Sequence, residues 1–116
     1  MFLFGKKTKY DFSDEKISNL TESIIDLKDI SGRIGTSIGF LELNNILSAA
    51  MKKDPKAFRK ATQNNELFGG MGALWETYSR NPDLQSEFDL KMKRFCIILK
   101  SIGLRNNRVN QIAKSL

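Results

Sequence analysis

The chain contains no histidine and only one cysteine in 116 residues. Without imidazole there is no His general base, no Ser-His-Asp triad, and no usual ligand set for a catalytic zinc. A lone Cys96 closes no internal disulfide and builds no thiolate cage, which agrees with a reducing compartment. It sits between Phe95 and Ile97 in a helical pattern and reads as a core-flanking thiol. A nucleophile would need an activating base or a depressed pKa. No run approaches the ~20 apolar residues of a membrane span. The opening Met1-Phe2-Leu3-Phe4-Gly5-Lys6-Lys7 is apolar and then basic, the reverse of a secretory signal. These absences predict a non-enzymatic cytoplasmic chain with no cofactor, no metal and no transmembrane segment.

What is present suits one domain, long enough to bury a real core and too short for two. Proline and glycine fall at the edges of segments, and between them the apolar spacing is helical. Residues 1–12 are the exception, either a flexible arm or one extended strand. Residues 13–116 read as an all-α bundle of about five helices. Ser13 caps the first, whose stripe is Ile17, Leu20, Ile24 and Leu27, and Ser31-Gly32 with Gly35 ends it. The second runs from about Thr36 or Gly39 to Lys53, with Phe40, Leu43, Leu47, Ala50 and Met51 on one face. Asp54-Pro55 and Asn81-Pro82 repeat one device, a capping side chain followed by proline at the first helical position. The helix after Asp54 is short, reaching about Asn64 with Phe58 and Ala61 inward. The helix after Asn81 is the best defined, stepping through Leu84, Phe88, Met92, Phe95, Leu99 and Ile102. Gly103 then suits a left-handed C-cap with Leu104 folding back. A last short helix, about Asn107 to Lys114, turns Val109 and Ile112 inward. Leu90 and Ile97 form a second apolar strip, which places their helix at the centre of the bundle or against another chain.

The net charge of +6 is uneven. Residues 11–30 are acidic, whereas residues 91–116 hold seven basic residues and no acid. Lys91, Lys93, Arg94, Lys100, Arg105 and Arg108 therefore define a candidate basic surface, suited to an acidic protein or to nucleic acid. A lysine-rich solvated helix face accounts for it equally well. Glu22, Asp26 and Asp29 share a helix face at i, i+4 and i, i+3. With Leu and Ile opposite, they read as the solvated side of an amphipathic helix rather than a metal site.

The most specialised stretch is Leu67-Phe68-Gly69-Gly70-Met71-Gly72-Ala73-Leu74-Trp75-Glu76-Thr77-Tyr78, which holds three of the eight glycines and the only tryptophan. It lacks the spacing of a phosphate-binding loop or a dinucleotide fingerprint. The spacing predicts Leu67 and Phe68 entering the core, a tight glycine turn, and a short helix from Ala73 to Ser79 with Met71, Leu74 and Tyr78 inward. Either the glycines permit close packing with Trp75 filling the gap, or Phe68, Gly70, Met71, Trp75 and Tyr78 form a partner-binding surface.

The run Phe68-Gly69-Gly70-Met71-Gly72-Ala73-Leu74 resembles a motif of a loosely defined group of small bacterial proteins that carry Phe/Trp-Gly-Gly-Met-Gly-Ser-Leu. This chain departs from it with Ala73 for serine and Trp75-Glu76 for an Asn-Asp pair. Such proteins are similar to immunity proteins and antitoxins, so the resemblance implies a protein that neutralises a partner enzyme by binding it. The leading expectation is a non-catalytic protein-binding module of that kind, with an acidic partner surface favoured by charge. The alternative is nucleic-acid binding through the last two helices, whose Gly103 turn suggests a helix-turn-helix.

Overall fold

The computed structural model describes residues 10–63, 65–69 and 72–115. Among the described residues six α-helices follow one another: α1 (Asp14–Ile34), α2 (Phe40–Met51), α3 (Pro55–Thr62), the single turn α4 (Asn65–Phe68), α5 (Pro82–Ile102) and α6 (Asn107–Lys114). A 3-10 turn, Leu74–Glu76, lies between α4 and α5. The fold is an all-α single-domain bundle, as the apolar spacing predicts.

Helix boundaries follow from capping chemistry. The Ser13 hydroxyl accepts from the Lys16 N–H, Asp54 from Ala57, Asn81 from Asp83 and Leu84, and Asn106 from Val109. Each satisfies a backbone donor that has no partner within its own helix. At the other ends, Gly35 (φ 110°) and Gly103 (φ 120°) take positive φ. Beyond Gly103 the Leu104 N–H donates to the Leu99 carbonyl at 3.1 Å, and Leu104 is buried. That is the expected glycine C-cap with its hydrophobic fold-back. α1 runs through Ser31-Gly32, where an end is expected. Ser31 is buried, and the chain leaves the helix only at Gly35.

The frame of the bundle is the antiparallel pair α1 and α5. Leu20, Ile24, Leu27 and Ile30 of α1 are buried, as are Phe88, Met92, Phe95 and Leu99 of α5. Ion pairs along the edge of the seam give the direction. Arg33 near the end of α1 pairs with Glu87 near the start of α5, and Asp26 and Glu22 meet Arg94 further along. Glu22 and Asp29 are exposed, as expected of a solvated face, while Glu22 and the less exposed Asp26 also reach bases of α5. Hydrogen bonding to Arg33 holds the Glu87 carboxyl below its ordinary range. A depressed folded value makes this contribution complete above the unfolded carboxylate pKa and lost as pH falls through the folded one.

α5 is central in the bundle, but not through Leu90 and Ile97. Both are exposed. Cys96 and Ile98, on either side of the Phe88-Met92-Phe95-Leu99 stripe, are the residues that widen its buried arc. That arc lets α5 pack on α1 and on α6, whose Val109 and Ile112 are buried. α2 packs on α1 and carries α3 on its far side. Met51 lies off the inner face of α2 and is exposed, whereas Ile46 and Ala49 are buried.

Helix direction gives the molecule two distinct ends. One collects the starts of α1, α3 and α6 and the ends of α2 and α5. There Asp11 donates its N–H to the Ile102 carbonyl at 2.7 Å, and Lys53 Nζ donates to the Phe12 carbonyl at 2.8 Å. Tyr10 and Phe12 set their rings against Phe58, with centroids 5.0 and 5.3 Å away. The three described residues of the leading segment are thus held to α3 and to the end of α5. Residues 1–9, the rest of the expected arm, lie outside the described residues.

Phe58→Ala should lower unfolding free energy by about 3–5 kcal/mol in urea titrations, the usual cost of truncating a fully buried phenylalanine. It should also release Tyr10, read as a rise in the solvent accessibility of its ring. Glu87→Gln should flatten the acid limb of a stability-against-pH curve, and a limb unchanged by the substitution would contradict the role given to Arg33.

Candidate functional site

The second end collects the end of α1, the start of α2, the α4 turn, the 3-10 turn and the start of α5. Its geometry is set by Gly39, which precedes α2 with φ 82°. A Cβ on Gly39 would lie 2.8 Å from Leu67 Cδ2 and 3.2 Å from Leu74 Cβ. Hence the α1–α2 connection presses its bare backbone against both buried leucines of the glycine-aromatic segment. Only glycine satisfies the left-handed conformation and this approach together.

The segment itself is built largely as packing. Leu67 and Leu74 are fully buried, and Ala73 is nearly so. Phe68 is also buried, its ring stacked on Phe95 with centroids 6.3 Å apart and planes 13° from parallel. Phe68 is therefore placed in the core, where the partner-binding reading expects a surface residue. The expected helix from Ala73 to Ser79 contracts to the 3-10 turn Leu74–Glu76. The chain then leaves the helical conformation at Thr77 (φ −58°, ψ 133°), and Ser79 donates its N–H to Gln85 Oε1 of α5 at 2.7 Å. This straightening turns Tyr78 outward, to 74% exposure, where an inward side chain is predicted. Trp75 is half-buried against the core. Gly70 and Met71, the remaining candidates, lie outside the described residues, as does Asn64 at the expected end of α3.

Two residues that the periodicity does not single out belong to this end. Ile38 and Leu41 flank the Gly39 contact and are exposed, Leu41 to 66%. Leu41 falls off the inward stripe of α2, and that is the signal by which the sequence could have flagged it. Ile38, Leu41 and Tyr78 thus leave large apolar side chains in solvent at this end, where Trp75 is half-buried against the core.

The predicted basic surface divides. Arg94 donates from Nη2 to Glu22 at 2.9 Å and from Nη1 to Asp26 at 3.1 Å, and Lys91 lies 3.6 Å from Asp26. These two bases face α1 carboxylates and do not form an open phosphate-binding line. Lys93 lies on the same helix and also has an interaction. Lys100, Arg105 and Arg108 are exposed at the opposite end of the bundle. Cys96 is fully buried, and burial pushes its thiol pKa up to about 12. A thiol so protonated is a poor nucleophile. Among the described residues no group of three or more acids or thiols is placed to hold a metal ion.

Two substitutions separate close packing from backbone strain. Gly72 also has positive φ, 89°, but open space where its Cβ would stand. Gly72→Ala should therefore cost only the backbone part, roughly 1–2 kcal/mol. Gly39→Ala should cost about 1–3 kcal/mol more through overpacking against Leu67 and Leu74. Equal losses in chemical denaturation would mean that the Gly39 junction is not tight. No family model, no curated protein and no solved structure matches the chain.

Proposed function

We propose that the protein is a non-catalytic binding module that engages another protein through the end carrying Ile38, Leu41, Trp75 and Tyr78. In its most concrete form it is an inhibitor of the immunity-protein or antitoxin kind, acting by covering its partner's working surface. The observation that carries this reading is the exposure of Ile38, Leu41 and Tyr78 around the Gly39 junction. Burying large apolar side chains in a partner is favourable at about 25 cal/mol per Å². A junction already locked by packing loses little conformational freedom on binding. The positive net charge favours approach to an acidic partner. The chemistry of the chain agrees, since it has no imidazole and its one thiol is buried.

Nucleic-acid binding has weaker support. Lys91 and Arg94 spend their charge on Asp26 and Glu22, which leaves Lys100, Arg105 and Arg108 as the exposed part of the expected basic surface.

The test is affinity capture from the native host with the wild-type chain and with a Leu41→Ser/Tyr78→Ala double variant. Wild type should recover one protein in stoichiometric amount, and the double variant should bind that protein at least about tenfold more weakly. Both sites are exposed, so the variant should keep its helical circular dichroism and melting temperature. Recovery of nucleic acid alone, or undiminished capture by the variant, sinks the proposal.

A further inference from the structure

The outer side of the α1–α5 seam carries an exposed apolar set of its own. Arg94 bonds Glu22 and Asp26 across that side. Leu90 and Ile97 stand one turn before and one turn after Arg94 on α5, and Ile25 stands one turn from both Glu22 and Asp29 on α1. Ile25 is 60% exposed, Leu90 59% and Ile97 46%. Single apolar side chains on a surface need no explanation, but three gathered on one side of a helix pair form a patch. The centre of the bundle is reached by Cys96 and Ile98 instead, which leaves contact with another chain as the remaining use of the Leu90–Ile97 strip.

Two properties of this face select its occupant. The first is charge. Glu22, Asp26 and Asp29 line the α1 half and Lys91, Lys93 and Arg94 the α5 half, so the face is balanced but divided along its length. A polyanion would meet the acids of α1 as well as the bases, whereas a surface divided in the same way is matched in both halves. The second is height. Asp26 reaches both Lys91 and Arg94, so Ile25 lies level with the turn that separates Leu90 from Ile97. A twofold axis parallel to the helices, passing between two such faces, sets α1 of each copy across α5 of the other. That rotation leaves heights along the helices unchanged, and the crossing pairs run antiparallel as they do within the chain. Ile25 of one copy therefore enters the gap between Leu90 and Ile97 of the other, and the acidic half of each face lies on the basic half of its mate.

The area suffices. Two helices of 21 residues, about 30 Å long and about 10 Å apart, present roughly 600 Å² per copy, so about 1,200 Å² is covered in total, the lower edge of stable interfaces. We propose that two copies of the chain associate through the outer faces of α1 and α5, with Ile25, Leu90 and Ile97 at the centre of a four-helix contact. The end carrying Leu41 and Tyr78 takes no part in it, so the dimer presents that end twice.

The test is the mass of the full chain in solution, measured by sedimentation equilibrium. The wild-type chain should sediment as two copies at about 100 μM and dissociate on dilution with a micromolar constant, as suits an interface of this size. Leu90→Ser/Ile97→Ser should weaken association at least about a hundredfold, since four apolar side chains leave the contact at once. Both positions are exposed within the chain, so this variant should keep its helical circular dichroism as a monomer. Leu41→Ser/Tyr78→Ala should leave the dimer intact, which separates this proposal from the protein-binding one. Oxidation of a mixture of Ile25→Cys and Ile97→Cys chains should trap the mixed dimer faster than either chain alone is trapped, and Cys96 is buried and does not compete. A mass of one copy at the starting concentration overturns the proposal. So does a dimer that ignores the Leu90→Ser/Ile97→Ser substitutions, or trapping that does not favour the mixture.

Discussion

The structure depends on the antiparallel seam between α1 and α5. Each helix is 21 residues long, about 30 Å at the usual rise, and among the described residues no other helix exceeds 12. Leu20, Ile24, Leu27 and Ile30 together with Phe88, Met92, Phe95 and Leu99 are buried along this seam and form the spine of the core. The ion pairs at its rim add little stability, since half-exposed pairs are worth about 0–1 kcal/mol each. Their effect is on register. Glu22, Asp26 and Arg33 meet Arg94, Lys91 and Glu87 only in this antiparallel alignment, and a parallel one would set acid against acid at the start.

The seam also decides where the two ends fall. Because α1 and α5 run in opposite directions, the connection after α1 and the segment before α5 arrive at the same end. Gly39 then meets Leu67 and Leu74 there. Conversely the segment before α1 and the turn after α5 share the other end, where Asp11 bonds Ile102. An apolar rim and a basic cap, separated by the length of the bundle, follow from one packing choice.

The composition and spacing made the fold class legible. Caps at Ser13, Asp54 and Asn81 and the stops at Gly35 and Gly103 are local chemistry, decided by a few neighbouring atoms, and they appear where the residues call for them. The site was less legible for a physical reason. Whether Phe68 lines a surface or the core depends on Phe95, 27 positions away in the chain and stacked on it in space. Whether Tyr78 points in or out depends on Gln85 capturing the Ser79 N–H and straightening the chain between them.

By itself the sequence determined that the chain is helical, where most helices start and stop, which stripe of α5 is buried, and that imidazole chemistry is absent. These follow from period, capping and residue type, which need no knowledge of distant neighbours. Only the tertiary structure decided that the α1 acids neutralise Lys91 and Arg94, so that the apparent basic face of α5 closes. It alone decided that Leu90 and Ile97 remain in solvent while Cys96 and Ile98 make α5 central. And it alone gathered Lys52, Lys56, Lys100 and Arg105 at one end. Charge and exposure are properties of what lies opposite a side chain, and helix pairing is what places it there.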